Sequence, residues 1–294
     1  MKKQLLDIYW IIRTWPMRWH FPKYKIASIE ETIDDIIQNK KSISRLGDAD
    51  FLLLTGARDV SYQELSPEIS GKLKEVVDTR HERIIIGLPN TINSTKGCNR
   101  NARIHWKLFI NTHGKELSKY LDPAYRYGNS NITRFYIDGK NKKKASRLFD
   151  KFKTIWEGKH IVIIEGEYSR LGVGNDLLEN TQSIKRILAP HKNAFRIYER
   201  LKKTLLEFPK DTLFIFALGP TATILCCELA LEGYWAIDVG NIDIEYMWMQ
   251  MGATEKVPVH GRFSVETGNK WSEDLVLDPV IYRDYFDSII KKIE

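Results

Sequence analysis

Four stretches of the chain place carboxylates, arginines or glycines at spacings that could do chemistry. The first is Arg45-Leu-Gly-Asp48-Ala-Asp50. Two carboxylates two residues apart on a Gly-containing turn can both approach a hard divalent cation such as Mn or Mg. Such a cation neutralises a diphosphate leaving group; the competing role for Asp48 is to cap the helix that follows. The second is Glu165-Gly-Glu167-Tyr-Ser169-Arg170-Leu-Gly172-Val-Gly174-Asn175-Asp176. Its small residues would let backbone N–H groups approach an anion at an expected helix start, and Arg170 could hold a phosphate bidentately. Gly172-x-Gly174 lacks the third glycine of a dinucleotide fingerprint, so a structural turn with Asn175 or Asp176 capping the next helix is the alternative. The third, Gly219-Pro220-Thr221-Ala-Thr223, opens a helix whose free N–H groups suit a phosphate or a ribose hydroxyl, or simply make a strand–turn–helix junction. The fourth, Asp238-Val-Gly-Asn-Ile-Asp243-Ile-Glu245, could supply a general base for a sugar hydroxyl or complete a metal site, with helix capping by Asp243 as the competitor. His260 and Glu266 lie in a Pro/Gly-punctuated loop able to close over a ligand, and the polar loop 90–96 suits sugar hydroxyls.

The elements that must position these residues are legible as apolar runs. Ser42–Arg45, Arg83–Gly87, His160–Glu165, Leu213–Leu218 and Tyr234–Asp238 have strand character. Between them lie helical patterns: from the capping box Ser28-Ile-Glu-Glu31 to about Gln38, over Phe51–Leu54, from Ser66-Pro67 to about Arg80, and over Lys142–Trp156. A C-terminal helix is expected near Pro279–Ile293. Near-continuous apolar strands alternating with helices indicate a parallel sheet covered on both faces, whose ligands bind beyond the carboxyl ends of the strands. Every cluster above except the 260–266 loop follows such a strand.

The 294 residues, 43% hydrophobic and 28% charged, have a globular composition, which excludes a disordered tail or a disulfide-stapled mini-domain. Six Lys or Arg against Asp7 alone in residues 1–25 hold five of the seven net positive charges, leaving too little for a nucleic-acid-binding body. That arm also carries Tyr9, Trp10, Trp15, Trp19 and Phe21. It suits peripheral contact with an anionic membrane surface, or packing as an amphipathic helix on the body or on a second copy in a homo-oligomer. Cys98, Cys226 and Cys227 cannot all pair, which fits a reduced cytoplasmic compartment. No run reaches the roughly 18 apolar residues of a membrane span. Zinc-ligand spacing, a serine-hydrolase elbow and a phosphate-loop motif are all lacking. The organisation expected is an arm, 1–25, and one α/β domain, 26–294.

Taken in order, five motifs resemble the GT-D-type glycosyltransferases: Ser42-Ile-Ser-Arg45-Leu-Gly-Asp48-Ala-Asp50-Phe51, Asn131-Ile-Thr-Arg134, Ile164 through Asp176, Ala217-Leu-Gly-Pro-Thr-Ala222, and Ala236 through Tyr246. Members of that family glucosylate the glycans of bacterial serine-rich-repeat adhesins. The resemblance covers about residues 27–270 and implies a Rossmann-like parallel sheet flanked by helices, a UDP-sugar donor (UDP-glucose in the characterised activity) and a divalent metal. The family's metal motif is Asp-x-Glu after Arg-x-Gly; here it is Asp48-Ala-Asp50, one methylene shorter and still offering two carboxylates. On this reading Asp48 and Asp50 hold Mn or Mg against the diphosphate. Arg45, Glu167, Ser169, Arg170, Gly172, Gly174, Asn175 and Asp176 position phosphates or sugar, and Gly219, Pro220 and Thr221 add donors. One of Asp243, Glu245 and Glu266 takes the acceptor's proton. The acceptor is a glycan, lipid-linked at the inner membrane face or protein-linked, as in surface-polysaccharide or glycoprotein assembly. A sugar-nucleotide enzyme without an acceptor and a catalytically silent binding subunit are the alternatives.

Overall fold

A computed structural model describes residues 20–267 and 277–294, with Leu6, Tyr9, Trp10, Ile12 and Arg13 ahead of them. Its strands are β1 (Lys25–Ile26), β2 (Ser42–Arg45), β3 (Ile84–Leu88), β4 (Arg126–Asn129), β5 (His160–Gly166), β6 (Ser183–Ala189), β7 (Leu213–Ala217), β8 (Trp235–Asp238) and β9 (Ile289–Lys292). They form one sheet in the order β1-β4-β3-β2-β8-β7-β5-β6-β9, every pair parallel. The Rossmann-like parallel sheet expected from the sequence is the one observed.

Side chains alternate across the sheet, as the two-residue period of a strand demands. Val162, Ile164, Phe214 and Phe216 point into one core with Leu53, Phe109, Leu201 and Leu229, whereas Ile161, Ile163, Ile215 and Ile237 point into a second with Ile36, Phe152, Trp156 and Trp248. Helices cover both faces: α1 (Ile29–Asn39), α2 (Asp48–Leu54), α3 (Pro67–Asp78), α4 (Arg100–Leu117), α5 (Ala145–Lys153), α6 (Tyr198–Leu206), α7 (Pro220–Leu231), α8 (Ile242–Gln250) and α9 (Arg283–Ser288). The Ser28 capping box forms as read, with Glu31 N–H donating to Ser28 Oγ at 3.1 Å and Ser28 N–H to Glu31 Oε2 at 2.7 Å. All but one of the α7 side chains from Pro220 to Ala230 are buried, consistent with a helix that is apolar on every side.

Three sequence expectations are corrected. The C-terminal helix over Pro279–Ile293 is only the six residues of α9, after which β9 pairs with β6 through Ile289↔Arg186 and Lys292↔Leu188. β-branched Ile289 and Ile290 favour that strand, which the exposed edge of β6 templates. No helix follows Asn175–Asp176: residues 167–180 are turns. And β4 and β6 stand where no strand was read; in β6 a lysine and an arginine break the apolar run.

Of the N-terminal arm, Lys2, Lys3, Asp7, Trp15, Arg18 and Trp19 lie outside the described residues. Phe21 packs against the first core and against Gly114 of α4. No helix among the described residues is long and apolar enough to cross a membrane.

Candidate active site

The chain leaves β2 toward β3 and β4 on one side of the sheet, and returns through β7 and β8 from the other. β2 and β8 touch through the single pair Ile43↔Ile237. At such a reversal the loops beyond the strand ends splay apart, and here they enclose a cleft of about 1210 Å³ lined by the turns after β2 to β8.

The two carboxylates of the first motif divide their work. Asp48, the first residue of α2, presents a half-exposed carboxylate to the cleft, with Oδ2 3.0 Å from His105 Nε2 of α4. Burial pushes its pKa up, but the His105 hydrogen bond and the charges of His105 and Arg134 outweigh this and hold it below the usual range. Asp50 is buried, with Oδ2 accepting from Gly47 N–H at 2.9 Å and Oδ1 from Thr223 Oγ1 at 2.9 Å. Burial raises its pKa to about 7 against the hydrogen bond from Gly47. Asp50 thus ties the β2 turn to α7 in the wall of the cleft.

Arg45 is a strut. Its Nε donates to Asp238 O at 2.8 Å, Nη1 to Ser130 O at 2.9 Å, and Nη2 to Asp238 Oδ1 at 3.1 Å, joining the ends of β2, β8 and β4. Gly240, at φ 47°, makes room for it: a Cβ there would lie 1.9 Å from Arg45 Nη2. Gly219 and Pro220 line the cleft at the start of α7, and Tyr62 lies so close over Gly219 that a Cβ would meet its ring at 2.8 Å. Thr221 is buried behind them.

Most of the Glu165–Asp176 stretch braces the cleft from behind. Asn175 and Gly172 N–H donate to Asp243 Oδ1 at 2.7 and 2.9 Å, and Asp176 takes Tyr246, Gln250 and Lys153. Arg170 is buried, donating to Gly261 O at 2.7 Å. Only Gly166, Tyr168 and Ser169 of this stretch line the cleft. Beside them stands His191, at the end of β6, its Nδ1 3.0 Å from Glu167 Oε1 and its ring edge-on to Tyr168 and Phe263. Glu167 is held in turn by Lys292 of β9 at 3.3 Å.

The three carboxylates expected to include the base are all engaged. Asp243 is buried, its Oδ2 paired with Arg262. Glu245 is fully buried, its Oε2 accepting from the N–H groups of Tyr136 and Ile137, both at 3.0 Å. Burial pushes its pKa up to about 7 against the charge of Arg134, 3.9 Å away. Glu266 alone of the three reaches the cleft as a partly exposed group. Burial would raise its pKa, but the Arg134 and Lys256 cations hold it far below the carboxylate range.

The cleft therefore brings together Asp48, Ser169, Gly219, Pro220 and Glu266, with Arg45, Asp50 and Asp243 along its walls. Arg170, Gly172, Gly174, Asn175, Asp176, Thr221, Glu245 and Glu167 sit outside its lining. Sequence reasoning passed over His105, Tyr62, His191 and Lys256 as site residues. Arg134 was visible in its motif, and His191 could have been found by the strand-end rule had β6 been recognised.

Comparison with known proteins gives one answer. A family model described as the glycosyltransferase GT-D fold matches residues 43–267. A probable glycosyl transferase, Gly, of Streptococcus gordonii is 37% identical over 244 residues, 82% of this chain and 35% of that protein. The glycosyltransferase GlyD of Streptococcus pneumoniae serotype 4 is 34% identical over 243 residues, 82% of this chain and 30% of that protein. The chain thus spans about a third of the length of these curated relatives. Among solved structures, a domain of unknown function 1792 described as having a distinct glycosyltransferase fold superposes with a TM-score of 0.89 at 32% identity, covering 96% of this chain and all of that one. A further one, described as a new glycosyltransferase from Streptococcus sanguinis, gives 0.85 at 32% identity over 92% of this chain and all of that one.

Proposed function

The chain belongs to the glycosyltransferase family with the GT-D fold, and from that premise we propose that it moves a hexose, glucose by preference, from a UDP-sugar to a hydroxyl of a glycan. The observation that carries this reading is Asp48, a half-exposed carboxylate kept ionised at the head of a large cleft at the switch point of a parallel sheet.

The residues present fit a hard divalent cation shared with a diphosphate. Asp48 supplies a half-exposed carboxylate, oriented by His105 Nε2 at 3.0 Å, a hard oxygen donor that would suit Mn or Mg when substrate phosphates and water complete the coordination. Asp50 supports that site from below by fixing the turn that carries Asp48. When bound, the metal would offset the charge that develops on the departing diphosphate.

The acceptor hydroxyl must lose a proton as it attacks the sugar. Asp243 and Glu245 are buried among donors that hold them in place, so they act as loop anchors. We assign proton transfer to His191, an imidazole at the cleft wall whose ring is oriented by Glu167, with Nδ1 3.0 Å from Oε1. The aromatic rings of Tyr168 and Phe263 beside it suit the face of an acceptor sugar. His191→Gln is expected to lower UDP-glucose turnover about a hundredfold or more while leaving UDP affinity unchanged. Turnover within tenfold of wild type would remove His191 from this role.

Residues 1–25 would place such an enzyme peripherally on an anionic inner membrane face, where a lipid-linked glycan is presented. A truncation lacking residues 1–19, which leaves Phe21, Tyr24 and β1 in place, is expected to lose binding to vesicles containing anionic lipid. Equal binding by the truncated protein would leave a protein-linked acceptor as the better reading.

A further inference from the structure

Resting on the UDP-sugar reading, we propose that Arg134 and Lys256 are the cations that bind the donor's diphosphate, and that Glu266 occupies their site as an internal anion until the donor displaces it. In the structure the Glu266 carboxylate sits in a socket of donors. Arg134 Nη1 donates to Oε2 at 2.6 Å while Nη2 engages Oε1, Lys256 Nζ is 2.7 Å from Oε2, and Asn241 Nδ2 donates to Oε1 at 3.0 Å. A guanidinium fork with an ammonium and an amide beside it is the pattern that recognises phosphate oxygens as readily as carboxylate ones. All four side chains line the same cleft as Asp48, and Arg134 lies near enough to that carboxylate for its charge to hold it ionised.

Among the described residues, Arg45 and Arg170 are engaged with partners of their own, and two further cations stand at the rim. Arg45 is spent on Asp238 and two backbone carbonyls, Arg170 is buried against Gly261 O, and Arg58 and Lys144 stand exposed at the rim. Arg134 and Lys256 are the two cations that converge on one carboxylate inside the cleft. Glu266 is carried by the short 3-10 turn Val265–Thr267, ten residues beyond Lys256 and outside every strand, so its side chain can swing out of the socket while Lys256 and Arg134 stay. Asp138 stays behind, 4.0 Å from Arg134 Nη1 and 3.7 Å from Lys256 Nζ, and keeps the two cations facing the cleft.

The test is calorimetric titration of inorganic pyrophosphate and of UDP into the full chain, as wild type, Glu266→Gln and Lys256→Gln. Glu266→Gln is expected to bind both ligands about tenfold tighter than wild type, because the competing anion is gone. Lys256→Gln, at a more exposed position less prone to disturb folding, is expected to bind both several-fold more weakly. Unchanged or weaker affinity in Glu266→Gln, or unchanged affinity in Lys256→Gln, overturns the assignment, as does failure of pyrophosphate to bind any of the three proteins. UDP bound by wild type with equal affinity in both variants would overturn this inference and leave the donor reading intact. Pyrophosphate bound more tightly by Glu266→Gln while no protein binds UDP would do the reverse.

Discussion

Asp48 and Asp50 show how two carboxylates of one motif come to different tasks. Both lie in the first turn of α2, where a carboxylate is favoured by the helix dipole. Asp50 folds back to close the capping interaction with Gly47 N–H and meets Thr223, so its oxygens are consumed; Asp48 points outward to His105. The spacing alone gave both equal standing, because a sequence does not show which oxygens the backbone will claim. Thr223→Val removes a hydrogen bond from a buried carboxylate and is expected to cost about 1–3 kcal/mol of stability in urea unfolding, with little direct effect on nucleotide binding. Gly240→Ala forces a left-handed backbone onto a residue with a Cβ and drives that Cβ into Arg45. A loss of about 2 kcal/mol or more is expected, and a variant as stable as wild type would mean that Arg45 is not the strut described here.

At the level of elements, strands and their following turns were the most legible part of the chain. Ile161–Ile164 and Leu213–Leu218 are unbroken apolar runs, and both lie in central strands. β6 was hidden because Lys185 and Arg186 interrupt it, yet Arg186 is buried, its Nη1 2.5 Å from Glu165 Oε1 and its Nη2 donating to Leu171 O at 2.8 Å. A buried charge is tolerable only with such a partner, and the partner lies on the neighbouring strand, 21 residues away in sequence. Glu165→Gln is accordingly expected to cost about 3–5 kcal/mol, read in denaturant unfolding, and to loosen the turn that carries Tyr168 into the cleft. The Gly172–Asp176 turn misled for a related reason. Gly172 and Asn175 serve a contact with Asp243, far along the chain, that no local pattern announces.

For the whole molecule, the parallel sheet places most of the chemistry-bearing clusters at one edge, which is why a rule about strand ends could find the cleft before its lining was known. The same assembly sets the pH response. Glu266 is held below its ordinary value of 4.5 by Arg134 and Lys256 despite burial, so its contribution to stability is complete above that value and declines as the pH falls. Glu245 is raised by burial to about 7, so its contribution is complete below the ordinary carboxylate range and is lost as the pH rises through 7. Together they place maximal thermal stability at about pH 5; a maximum above neutral pH would show that the Glu245 environment is more polar than its burial indicates.

The central claim, that the cleft is a metal-assisted UDP-sugar site headed by Asp48, is tested most directly by calorimetric titration. UDP and UDP-glucose would be titrated into the wild-type chain and Asp48→Ala, with and without Mn. The account predicts micromolar, Mn-dependent binding to the wild type that is lost in the variant. No binding of either ligand to the wild type under either condition, or equal binding by Asp48→Ala, would contradict it.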